Sequence, residues 1–184
     1  HYFTAVDPHK IINAAEEKAR LLQEALPEFL SLYDQYKTRP TVRFYEGKKA
    51  MKMILDEILS EAKELFAFSS TDDLDNILGE DFQNYVKQRA KKKIPSKVIM
   101  RDTPLAKVRQ QTGVEELREV RIIPHSYEHH SLIYIWGNKV AMFSLQKDLN
   151  VLVTESQELA QFHKTMFDYI WNTLPSGYKR VNSN

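Results

Sequence analysis

A chain of 184 residues with 42% hydrophobic and 28% charged side chains has the composition of one ordinary globular domain, or of one domain carrying a helical arm. A formal net charge of +1 and only 5 glycines exclude a strongly basic phosphate-binding surface and a glycine-rich phosphate loop, and the lack of cysteine excludes disulfides and thiol chemistry. No apolar run approaches the roughly 20 residues needed to cross a bilayer and no signal-peptide pattern opens the chain, so a cytoplasmic protein with no membrane partner is expected.

Residues 1–7 (HYFTAVD) are aromatic and β-branched and read as the end of a strand belonging to something upstream. Pro8 can open a helix with Asp7 as its cap. From there Ile12, Ala15, Ala19, Leu22, Leu26, Phe29, Tyr33 and Tyr36 alternate three and four apart, the spacing that keeps two helices in register. This 8–38 arm could pack its stripe on its own domain. The small Ala15 and Ala19 and the length of the seam favour a dimer-forming, coiled-coil-type helix instead, with Ile12 to Tyr33 as the homodimer interface. Pro27 falls inside it and is expected to kink or restart the helix.

After Pro40 the pattern becomes an alternation of strands and helices over residues 39–175. Strands are expected at Val42–Gly47, Glu64–Ser70, Lys97–Asp102, Glu119–Pro124 and Asn150–Ser156, with a hairpin at His130–Leu145 turning at Gly137-Asn138. Leu132, Tyr134 and Trp136 point to one side of the first hairpin strand, and Ile133 and Ile135 to the other. A hairpin apolar on both faces belongs in the middle of a sheet covered by helices. The closing helix is expected to bury Leu159, Phe162, Met166, Ile170 and Leu174, opened by a Thr154–Gln157 capping box. Residues 176–184 form a polar tail. The class is therefore α/β: a mixed sheet, parallel first and antiparallel later, flanked by helices.

Ligands in open α/β sheets bind beyond the carboxyl ends of strands. Those ends supply Ser69, Ser70, Arg101, Tyr127 and His130, and Ser144 ends the second hairpin strand. Ser69, Ser70 and Thr71 can hold an anion at a helix start or serve only as caps. His125, His129 and His130 lie in a loop without cysteine, so no metal and no cofactor are expected. The basic run Lys87, Arg89, Lys91, Lys92, Lys93 reads as a solvated helix end, and Asp72, Asp73 and Asp75 as a helix start that suits the dipole.

The stretch EALPEFLSLYDQYKTRPTVRFYEGKKAMKMILDEIL, with REVRIIP, IYIWGNKVAMFSL and ELAQFHKTMFDYIWNTL after it, resembles the effector region of TrmB-like transcriptional regulators over residues 1–174. That family joins a winged-helix DNA-binding domain to a dimerising helix and an effector domain of phospholipase D-like fold. The resemblance implies that residues 1–7 are the stub of the winged helix and that DNA is reached only through a domain missing from this chain. It also implies a homodimer and a small-molecule effector. Members that bind sugars do so largely through a further β-rich domain, so no sugar-contacting residue carries over.

Phospholipase D enzymes place a His-x-Lys-x4-Asp signature on this hairpin, with the histidine as nucleophile. Here His130 matches the histidine, whereas Leu132 and Gly137 stand at the lysine and aspartate positions and Ser144-Leu145 replaces the glycine–serine that follows. The expectation is a domain that senses a small molecule without reacting. A phosphodiesterase and a dimerisation module without ligand are the alternatives.

Overall fold

The computed structural model describes residues 8–36, 40–127 and 129–175, and of residues 31–36 the backbone alone. The expected upstream strand, the end of the arm at 37–38, the Tyr33 side chain and the polar tail lie outside the described residues. Residues 1–40 and 41–184 form two compact units.

In the first unit, α1 (Pro8–Tyr36) is one helix containing Pro27, so the expected restart does not occur. Proline removes one backbone bond from a long helix, and the turns on either side carry the helix across. Arg20 ties neighbouring turns together by bonds to Glu17 and Glu24 at 2.6 and 2.7 Å. Ile12, Leu22, Leu26 and Phe29 of the seam are exposed, as are Ala15 and Ala19.

The second unit runs β1 (Thr41–Glu46), α2 (Gly47–Glu61), β2 (Leu65–Ser69), α3 (Thr71–Leu78), α4 (Glu80–Lys91), β3 (Ser96–Arg101), α5 (Pro104–Thr112), β4 (Arg118–Ile123), a 3-10 turn at His125–Tyr127, β5 (Ser131–Trp136), β6 (Lys139–Ser144), β7 (Asn150–Glu155) and α6 (Gln157–Thr173). The strands form one sheet in the order β1-β7-β6-β5-β2-β3-β4. β2, β3 and β4 are parallel, and β2-β5-β6-β7-β1 pair antiparallel. The hairpin takes the centre, as its two apolar faces require. β1 does not join the parallel set as chain order suggested; it returns to the edge beside β7, Thr41 opposite Glu155. Gly137 turns the hairpin at φ +53° while Asn138 keeps a negative φ, the pattern of a type II′ turn.

Two cores sandwich the sheet. On one face Leu132, Tyr134, Trp136, Ala141, Phe143, Val151 and Val153 meet α2 and α4 through Met51, Ile54, Ile58, Phe82, Tyr85 and Val86. On the other, Phe66, Ile99, Ile135 and Val140 meet Ala160, Phe167 and Trp171 of α6. The stripe expected on α6 is thus displaced. Leu159, Phe162 and Met166 are exposed, while Ile170 and Leu174 of the expected stripe are partly buried against the core beside Ala160, Phe167 and Trp171. Phe167 decides the rotation: it packs edge-on against Phe66 and Phe68, both at 5.4 Å, and stacks on Trp171 at 5.5 Å. The N-cap is Ser156, accepting from the Leu159 amide, whereas Thr154 stays in β7.

The basic helix end is not uniformly solvated either. Arg89 shares the face of α4 that carries Phe82, Tyr85 and Val86, and it is buried, donating to the carbonyls of Ile94, Glu116 and Leu117. The turn that presents two of those carbonyls holds Leu117 at φ +51°, a strained conformation for a leucine.

Candidate functional site

The carboxyl ends of β2 and β3 and the start of antiparallel β5 meet at one edge of the sheet, because Phe68 of β2 lies opposite Ile133 of β5 and Ser69 beside Met100 of β3. This topology brings His130, Arg101 and the first turn of α3 together. The His130 Nδ1 donates to the Asp73 carboxylate at 2.9 Å, and Ser70 Oγ donates to the same oxygen. The Arg101 guanidinium lies 3.8 Å from that oxygen. One of its nitrogens sits 3.4 Å from both ring nitrogens of His130. The guanidinium thus lies against the imidazole ring.

Asp73 therefore accepts from His130 and Ser70 and pairs with Arg101, and it was absent from the residues expected here. Its sequence context, TDDLD at a helix start, is equally that of a dipole preference. The signal that points to it is the strand-end rule that selected Ser69 and Ser70, extended one helical turn. Ser70 occupies the N-cap position of α3 yet makes no side-chain cap bond, because its hydroxyl is directed to Asp73. Asp72 accepts from Thr103 at 2.8 Å, and Thr103 caps α5 by accepting from the Ala106 amide at 3.1 Å, which binds the two helix starts into one rim.

The other expected residues divide. Ser69 is buried and shares a hydrogen bond with Thr71 at 3.4 Å, set back from the cluster. Tyr127 is exposed on the 3-10 turn and lines a small cleft of about 60 Å³ together with Arg101, Asp102, Thr103, Pro124 and His125. Ser144 lies opposite Ser131, at the end of β6, and is exposed. His129 donates to the Ser131 carbonyl at 3.1 Å, and burial pushes its imidazole below the ordinary histidine range, with Arg101 and His130 acting in the same direction. Among the described residues no group of three or more histidine and carboxylate side chains could hold a metal ion.

Chemically, the cluster offers a guanidinium and an imidazole whose Nδ1 is occupied by a carboxylate. Arginine and histidine suit an oxyanion such as a phosphate or carboxylate, while Asp73 offsets part of their charge. Leu132, at the lysine position of the phospholipase D signature, is fully buried in the α2-side core. Gly137, at the aspartate position, lies in the hairpin turn at the far end of β5. Neither reaches the cluster.

No family model matches the chain, and no curated protein matches its sequence. Solved structures do match. TrmBL2, an archaeal chromatin protein whose structure shows a novel mode of DNA binding, is 14% identical, with a TM-score of 0.54 over 91% of this chain and 67% of that one. The phospholipase D family member Nuc from Salmonella typhimurium is 14% identical, with a TM-score of 0.53 over 75% of this chain and 98% of that one. NucT from Helicobacter pylori is 12% identical, with a TM-score of 0.54 over 75% and 99%. At these identities the likeness is one of fold. The chain has a phospholipase D-like α/β fold, a seven-stranded mixed sheet flanked by helices and preceded by a long N-terminal helix.

Proposed function

We propose that this chain is the effector-sensing and dimerisation part of a TrmB-like transcription regulator, binding an anionic small molecule at the strand ends without turning it over. The cluster of Asp73, Arg101 and His130 carries the reading: it is a built polar site where such sheets take ligands. Leucine in the core at the lysine position argues against phosphoryl transfer, since one histidine and one arginine with an offsetting aspartate supply little charge for a transferring phosphoryl group. Ser69, Ser70, Tyr127 and Ser144 complete the proposed pocket. α1 joins two copies through Ile12, Ala15, Ala19, Leu22, Leu26, Phe29 and Tyr33. Contact with DNA falls to a winged-helix domain outside these residues, and the protein works in the cytoplasm.

Binding is proposed to act by favouring one arrangement of the dimer arm. A thermal-shift screen over sugars, nucleotides and phosphates tests it: a selective ligand raises the melting temperature, and Arg101→Ala with His130→Ala abolishes the response. An unchanged response in both variants refutes the pocket. No response to any compound leaves a dimerisation module. A monomeric mass by light scattering at micromolar concentration refutes the arm.

A second reading, phosphodiester hydrolysis, is favoured by one observation. Asp73 at 2.9 Å gives His130 the carboxylate partner that orients a nucleophilic or basic histidine. Turnover of bis(p-nitrophenyl) phosphate that disappears in His130→Ala would select this reading over the first.

A further inference from the structure

We infer that the core between α4 and the parallel strands is a binding site for one small monovalent anion of halide size, held by the Arg118 guanidinium and the Tyr85 and Ser96 hydroxyls. A cavity of about 20 Å³ lies there, with Ser69 and Thr71 in its lining but not Asp73, Arg101 or His130. It is lined by Tyr85 and Arg89 of α4, Ser96 of β3, Arg118 of β4 and Tyr134 of β5, among others. The space is enough for about one water or ion of similar radius.

Charge favours the ion. Among the described residues, the only charged side chains lining the cavity are Arg89 and Arg118, and no carboxylate lines it. The hydrogen-bond acceptors of Arg89 are all neutral carbonyls, those of Ile94, Glu116 and Leu117. Arg118 pairs with Glu116, but Glu116 also serves Arg109 at 3.1 Å, whose other carboxylate is Asp75 at 3.6 Å. Among the described residues, three largely buried guanidiniums therefore face two partly exposed carboxylates, leaving an excess of one positive charge. Uncompensated buried charge is costly, and a bound anion removes the cost.

Hydrogen bonding selects the same occupant. Among the described residues, Tyr85 Oη, Ser96 Oγ and Arg118 Nε are buried polar atoms without a hydrogen-bond partner, on residues 4%, 5% and 6% exposed. All three can donate, and the guanidinium cannot accept. A water has two lone pairs and can accept from only two of the three donors, whereas a halide accepts from all three. Burial, followed by repulsion from Arg109 and Arg89, pushes the Arg118 guanidinium down to about 10, the direction an anion would reverse.

The probe is bromide. Crystals of the full chain grown in sodium bromide should show an anomalous peak within hydrogen-bond reach of Arg118 Nε. In solution, the melting temperature should rise with bromide by about 5 °C over a roughly hundredfold range above its dissociation constant, relative to sodium gluconate of equal ionic strength. Gluconate is too large for the cavity. Tyr85→Phe and Ser96→Ala each remove one donor without altering charge, and each should flatten the bromide dependence while the protein remains folded. A cavity without an anomalous peak, or a melting curve that treats bromide and gluconate alike, identifies the occupant as water and overturns the inference.

Discussion

The bond between Asp73 and His130 can be weighed by a double-mutant cycle. Asp73 Oδ2 accepts from His130 at 2.9 Å and from Ser70, and lies 3.8 Å from Arg101. At an effective dielectric of about 20, the Arg101–Asp73 attraction alone is about 4 kcal/mol before desolvation takes back most of it. Asp73→Asn keeps the shape but removes the charge. It leaves Arg101, whose side chain is 10% exposed, without this carboxylate, at an expected cost of about 2–3 kcal/mol, or about 5–10 °C in melting temperature. His130→Gln should cost about 1 kcal/mol, because Ser70 and Arg101 still engage Asp73. The double variant should fall short of the sum by about 1 kcal/mol, measured by urea denaturation followed by circular dichroism at neutral pH. Additivity to within about 0.3 kcal/mol would show that the two side chains do not act together, and the strand-end site would lose its organising bond.

Three further outcomes follow from the packing and ion pairs of the second unit. Phe167→Ala should destabilise by about 4 kcal/mol in chemical denaturation, since the ring is fully buried between Phe66, Phe68 and Trp171. Exposed Phe162→Ala on the same helix should cost less than about 0.5 kcal/mol, and the reverse ranking would mean the helix is rotated. Burial pushes the Glu57 carboxyl up, but bonds from Arg43 and Lys139 bring it, on balance, below its ordinary value of 4.5. A lowered folded pKa stabilises above 4.5 and is lost as pH falls through the folded value. Glu57→Gln should therefore cost about 1–2 kcal/mol at pH 7, with the gap to the parent closing in acid titrations below about pH 4; a gap independent of pH refutes it. Gly113→Ala should cost about 2 kcal/mol in melting experiments, because a β-carbon there runs into the backbone carbonyl of Arg118; an unchanged melting temperature would mean that the turn opens freely.

What the sequence determined alone is whatever depends on periodicity and local chemistry. The two-faced hairpin and its glycine turn were legible because alternation is a property of contiguous residues. So was the identity of Arg101 and His130 as strand-end groups. Tertiary structure decided everything that rests on which of two available faces or partners wins. α6 carries apolar residues around much of its circumference, and only the fit of Phe167 between Phe66 and Phe68 selects the buried side. Arg89 looks solvated within its basic run, yet two of the three carbonyls that satisfy it come from a turn 27 and 28 residues further along the chain. Asp73 reads as a helix-start charge until the antiparallel return of β5 sets His130 beside it, 57 residues away in sequence. Local spacing carries the propensity of an element, but a pairing between distant side chains exists only once the sheet order has been chosen.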